Sequence, residues 1–176
     1  PLAAHWLVSS WHLRAVRLLA WGGGMYSGLL ILLLHSALFH PWLPFEEERY
    51  PLADLYGWEQ AAKRAVALAA ERSVAGENEL ALFAGNWSFA SHIAWYARPV
   101  PVRVTDGSYT QSDIWFGSPQ PGEQGILVVP TQFRNDRKAS GLSRFAHCDA
   151  IERVPVMLGD KVATSYELYH CRGYAG

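Results

Sequence analysis

Residues 18–38 read LLAWGGGMYSGLLILLLHSAL, and no Asp, Glu, Lys or Arg occurs from Leu18 to Phe45. As a helix, about 21 residues rising roughly 1.5 Å each match a hydrocarbon core of about 30 Å. The nine Leu and Ile residues favour insertion by roughly 3–5 kcal/mol, opposed by the glycines, the serines and His35. A buried helix of a soluble domain seldom runs so far without a charge. The apolar region of a cleaved signal peptide is shorter, about 7–15 residues. The stretch is read as a transmembrane helix.

Its flanks set a direction. Arg14 and Arg17 precede the span, and no Lys or Arg follows until Arg49. The positive-inside bias then places the start in the cytoplasm and Glu46 outside. Trp42 and Phe45, in HPWLPFEEE, suit the outer interface, where amphipathic rings settle. Gly24 and Gly28 form a small-xxx-small pair that admits a neighbouring transmembrane helix. PLAAHWLVSSWHL, residues 1–13, reads as the tail of an earlier membrane segment or as an interfacial stretch. The expected organisation is therefore a membrane segment over 1–45, a linker over 46–56 and an extracytoplasmic domain over 57–176. Starting at Pro1, the chain is expected to be the C-terminal part of a longer polytopic protein; a single-span anchor is the alternative.

Over the whole chain, 15 Lys and Arg nearly balance 16 Asp and Glu, so the basic footprint of a nucleic-acid binder is missing. With half its residues hydrophobic, the chain is not a disordered one.

Beyond the linker the periodicity changes. GWEQAAKRAVALAAERS (57–73) is an amphipathic helix, and ELALFAG (79–85) a short buried strand. NWSFASHIAWYA (86–97) is a helix that Asn86 or Ser88 can cap. PVPVRVTDG (99–107) and GILVVP (125–130) are strands, and TQFRNDRKASGLSRF (131–145) a polar helix broken near Gly141. AIERVPVML and KVATSYELYHC flank Gly159-Asp160 as a hairpin. Strand, helix, strand and a further strand after a crossover predict an α/β domain with a mostly parallel sheet. The hairpin closes it at the edge, where Pro155, which cannot donate to a ladder, belongs.

Cys148 and Cys171 each follow a histidine. If Leu158 pairs with Lys161, the cysteines fall opposite one another on one face and the histidines on the other. Four ligands then cannot converge on one ion, and no metal site is expected. An oxidising compartment favours a disulfide; two free thiols remain the alternative. YTQSDIWFG (109–117) carries Gln111, Asp113 and Trp115 in a polar loop. An amide, a carboxylate and an indole together suit a sugar; equally, the Trp can be buried and the Asp cap a turn. Asn86-Trp87-Ser88 matches a glycosylation sequon. Asp54 and Glu59 flank LYGW without forming an acid–base pair. There is no Gly-rich phosphate loop, no G-x-S-x-G and no H-E-x-x-H, so the chain shows no catalytic constellation.

The DLYGW junction (54–58), FAGNWSFASHIAWYA (83–97), TQSDIW (110–115) and the closing SYELYHCRGY (165–174) resemble the C-terminal part of bacterial family 39 membrane glycosyltransferases. These are the dolichyl-phosphate-mannose protein mannosyltransferase-like enzymes. The resemblance covers roughly residues 15–176. Tyr50-Pro51-Leu52 departs from the Asp-Pro-Thr-like junction of the family, and Asn86-Trp87-Ser88 from its charged start to the helix. The resemblance implies a bacterial inner-membrane enzyme that transfers a sugar from a polyprenyl-phosphate donor on the periplasmic side. The family's essential acidic residue lies in the first extracytoplasmic loop, so this part of the chain would be a non-catalytic cap without a cofactor of its own. Asn86, Gln111, Asp113 and Trp115 would be its substrate-proximal residues. The other class in play is a membrane-anchored extracytoplasmic binding or structural domain.

Overall fold

The computed structural model describes residues 2–40, 42, 46–74, 80–136 and 138–176. The chain divides into two compact units, Pro1–Leu43 and Pro44–Gly176.

The first unit holds α1 (Leu2–Ser9) and α2 (Arg14–Phe39). At about 1.5 Å per residue, the 26 residues of α2 extend roughly 39 Å, more than a hydrocarbon core requires. Its Leu and Ile side chains from Leu18 to Leu34 are exposed, and only Val16 and Ala37 are buried. A core helix of a soluble fold would have covered that surface. α2 is thus one helix long and apolar enough to cross a membrane. A Cβ added at Gly22, Gly23, Gly24 or Gly28 would meet nothing within 4 Å. Trp42 Nε1 donates to Ser36 Oγ at 3.0 Å; Phe45 lies outside the described residues.

In the second unit, residues 46–56 form two 3-10 turns, Glu47–Arg49 and Ala53–Leu55. Glu47 pairs with Arg153 at 2.7 Å, Tyr56 O accepts from the buried Tyr166 hydroxyl at 2.6 Å, and Gln132 donates to Asp54. There follow α3 (Trp58–Val74), β1 (Ala81–Ala84), α4 (Trp87–Ala97), β2 (Val102–Val104), α5 (Gln111–Phe116), β3 (Gly125–Pro130), β4 (Phe145–Leu158) and β5 (Lys161–Tyr174).

The five strands form one sheet in the order β2-β1-β3-β5-β4. β1 pairs parallel with β2 and β3, whereas β5 pairs antiparallel with both β3 and β4. The expectation of a mostly parallel sheet is therefore corrected: the sheet is mixed and mostly antiparallel. The parallel strands have only three, four and six residues, against fourteen in each hairpin strand. β5 is also interior rather than marginal. Tyr166, Leu168 and His170 are buried on one face, and Tyr169 and Cys171 on the other. β4 is an edge strand, opposite β2. Pro155 and the charged Asp149, Glu152 and Arg153 stand on it, residue types that discourage pairing with another chain.

Both faces are covered. α3 and α4 lie on one, where Ala61, Ala62 and Ala65 let α3 approach Leu82, Ile126, Val128 and Leu168. Trp58 anchors this core, stacked on His92 and edge-on to Tyr166, with ring centroids 4.8 and 4.9 Å apart. On the other face Phe145, Tyr174 and Leu142 cover Phe83, Leu127 and Val129.

The predicted polar helix over 131–145 is absent among the described residues of that stretch. Two 3-10 turns, Thr131–Phe133 and Leu142–Arg144, flank a bent segment. The Asp136 carboxylate accepts from the Lys138 and Ala139 N–H groups at 2.9 and 3.0 Å. Such local bonding competes with a helical ladder. Gly141, at φ +75°, then reverses the chain.

The β4–β5 register reaches the cysteines through two compensating bulges. Leu158 pairs with Lys161, the pairing shifts by one between Val156 and Met157, and it shifts back between Ala150 and Glu152. Each bulge inserts one residue, on opposite strands, so the shifts cancel and Cys148 faces Cys171. The two are bonded, with Cα atoms 4.1 Å apart. His147 and His170 face Arg172 and Asp149 instead.

Candidate functional site

The region 109–117, expected as a loop, contains α5, and its boundaries follow from one carboxylate. Asp113 Oδ2 accepts from Thr110 N–H at 2.7 Å and from Thr110 Oγ1 at 3.0 Å, while Oδ1 accepts from Ser118 Oγ at 2.7 Å. The Thr110–Asp113 pair is a capping box. Partial burial pushes the Asp113 carboxyl up, but the bonds from Ser118 and Thr110 prevail and hold it below the usual carboxylate range. Its acceptor sites serve the helix end.

Asn86 has a similar duty. Its Oδ1 accepts from Phe89 N–H at 3.0 Å, making it the N-cap of α4. Neither Asn86 nor Asp113 lines the groove between α4 and α5, whereas Gln111 and Trp115 do.

That groove, about 620 Å³, runs between α4 and α5. α4 contributes Trp87, Ser91, Ala94 and Trp95, spaced at three, four, seven and eight residues and hence on one helical stripe, with Ala90 at its border and the C-cap residue Arg98 at its end. The adjoining stripe of Phe89, Ala90, Ile93 and Ala97 is buried against the sheet. α5 and its cap contribute Thr110, Gln111, Ser112, Trp115 and Phe116. Trp87 and Trp95 are 63% exposed and Trp115 69%. Three of the four tryptophans in this unit therefore stand on one groove, and only Trp58 is buried.

Polar groups sit between the rings. The Arg98 guanidinium lies 4.5 Å from the centroid of the Trp95 ring, a cation–π arrangement. Ser91 Oγ donates to Trp87 O at 2.7 Å and keeps lone pairs free to accept. Gln111 offers an amide donor and acceptor at the surface. Among the described residues, no carboxylate, cysteine or histidine lines the groove. The groove thus presents flat apolar rings, one cation and a few neutral hydrogen-bonding groups.

The place where this topology ordinarily receives a ligand is filled by the chain itself. The strand order reverses between β1 and β3, and ligands favour the crevice at the carboxyl ends of such strands. Here a Cβ at Gly85, directly after β1, would lie 1.9 Å from Ala139 O, and one at Gly141 would lie 2.4 Å from Thr105 Oγ1. Ala139, Ser140 and Gly141 are packed onto the strand ends with no room between. Among the described residues, no group of His, Cys, Asp and Glu converges as metal ligands.

Compared with known family models, curated proteins and solved structures, the chain has no match.

Of the residues that line the groove, sequence reasoning singled out Gln111 and Trp115 but not Trp87, Trp95, Ser91 or Arg98. α4 carries aromatic residues at four positions, so its apolar pattern did not distinguish the rings that pack on the sheet from those that face outward. For α5, the T-x-x-D spacing at Thr110–Asp113 was the available signal.

Proposed function

We propose that the chain is the C-terminal part of an integral membrane glycosyltransferase that takes its sugar from a polyprenyl-phosphate donor on the extracytoplasmic side. α2 is its membrane span and the α/β unit a non-catalytic cap. The observation that carries this reading is the α4–α5 groove. Three exposed indole rings, the Gln111 amide and the Arg98 guanidinium surround about 620 Å³. Indoles stack on the C–H faces of a sugar ring, amide and hydroxyl groups bond its hydroxyls, and a guanidinium meets a phosphate. The groove therefore fits a phosphate-linked glycosyl group better than a bare hydrocarbon or a peptide strand.

The test is a titration of the chain, in lipid nanodiscs, with a short-chain polyprenyl-phosphate hexose, followed by tryptophan fluorescence. Saturable quenching is expected, weakened about tenfold by Trp115→Ala, a loss of about 1.4 kcal/mol. No saturable response, or an unchanged midpoint in Trp115→Ala, would refute the groove as the receiving site. Sequencing the coding DNA upstream of Pro1 tests the rest of the reading. Further spans with an acidic residue in the first outward loop are expected for the transferase.

A further inference from the structure

The groove has a second property that sugar binding does not require. Nine large hydrophobic side chains are exposed among the described residues of the α/β unit, and six of them belong to α4 or to Tyr109–Trp115. Three of the six, Trp87, Trp95 and Trp115, line the one groove, and an exposed apolar patch of this kind on a folded domain marks something that covers it. Its composition narrows the choice. The rings are mostly Trp and Tyr, which have an apolar body and a polar edge, and such rings collect where lipid headgroups meet acyl chains. α4 itself contains no Asp, Glu, Lys or Arg. Asp113, on α5, is turned to its capping bonds, and Arg98 ends the α4 stripe as a cation at the level of the rings. A surface with aromatic rings, one cation and no carboxylate complements a phospholipid headgroup layer. Chain length agrees, because only residues 40–57 separate the end of α2 from the start of α3.

We propose that the α4–α5 face docks on the lipid interface of the membrane that α2 crosses, with Trp87, Trp95 and Trp115 at headgroup depth and the groove opening toward the bilayer. The proposal rests on the membrane reading of α2. It also gives the groove a reason to lie where it does: a lipid-linked headgroup would enter it from the membrane surface without leaving the bilayer.

The test uses the whole chain with single added cysteines, each carrying an environment-sensitive fluorophore. The chain is reconstituted in vesicles of phosphatidylcholine and phosphatidylglycerol (4:1) doped with headgroup- or acyl-chain-spin-labelled lipid. Leu30→Cys reports on the span, Ile114→Cys on the α4–α5 face, and Asp160→Cys on the exposed hairpin turn, which joins β5 to the edge strand farthest from β2. The headgroup label is expected to quench the Ile114 site at least threefold more than the Asp160 site. Trp87→Ser/Trp95→Ser/Trp115→Ser should bring it down to the Asp160 level. If acyl-chain label fails to quench Leu30, the membrane reading itself falls, and this proposal with it. If Leu30 is quenched but Ile114 matches Asp160, the docking proposal alone is overturned. An Ile114 label shielded from aqueous iodide yet untouched by lipid quencher would place protein on this face and also overturn it. So would triple-variant quenching equal to that of the parent.

Discussion

Breaking the Cys148–Cys171 bond removes a cross-link between residues separated by 23 positions. The chain-entropy relation for a loop of that size gives about 3.4 kcal/mol at 25 °C, all from freeing the unfolded chain. The Pro44–Gly176 unit has an unfolding entropy of about 0.28 kcal/mol/K at roughly 2.1 cal/mol/K per residue, so the loss corresponds to a fall in Tm of about 12 °C. The bond also lies beyond both bulges from the Gly159-Asp160 turn. It therefore pins the register of the half of the hairpin that the turn controls least. The assay is near-ultraviolet circular dichroism during heating, comparing the oxidised chain, the chain reduced with a phosphine, and Cys148→Ala/Cys171→Ala. Both reduced and substituted forms should melt about 12 °C lower. A fall of less than about 3 °C would refute the loop-entropy argument. Two reactive thiols in the denatured, unreduced chain would refute the bond itself.

Three further outcomes follow from particular contacts. Asn86→Ala should cost about 1 kcal/mol in urea unfolding by removing the cap of α4, yet leave the affinity of the groove for a glycosyl ligand within twofold; a large affinity loss with unchanged stability would make Asn86 a ligand contact instead. Gly85→Ala should cost about 3 kcal/mol or more, because its Cβ would meet the backbone carbonyl of Ala139. Faster hydrogen exchange at the amides of Lys138–Gly141 checks it, and a neutral result would mean that the segment is not packed on the strand end. The third concerns pH. Hydrogen bonds from the Arg64 fork hold the Glu152 carboxyl below its ordinary range. The folded value lies below the unfolded one, so this contribution is present above about pH 4.5 and fades as pH falls through the folded value. Glu152→Gln should therefore narrow the gap between urea midpoints at pH 6 and pH 3. An unchanged gap would show that the α3–β4 fork does not contribute to stability.

Much of this molecule is local chemistry, and local chemistry was legible. The charge-free stretch Leu18–Phe39 makes a long apolar helix in any context, because its backbone bonds close within the segment. Asn86 capping α4, the Gly159-Asp160 turn and the buried strands Ala81–Ala84 and Gly125–Pro130 depend on neighbours a few residues away. Even the Cys148–Cys171 pairing could be counted from the turn, although the count succeeds only because two bulges on opposite strands cancel.

What only the tertiary structure decided depends on residues far apart in the chain. β5 lies between β3 and β4 because both its faces find cover, and no pattern within Lys161–Tyr174 names the partner strands. The stretch 131–145 has helical composition, but the Asp136 carboxylate binds its own backbone and the segment packs on Gly85 instead. The groove arises where α4 and α5 meet, across β2 and its turn. Which of the α4 rings face it was decided by which side of that helix the sheet buried. A period of 3.6 residues states that a helix has faces; the core chooses which one remains for function.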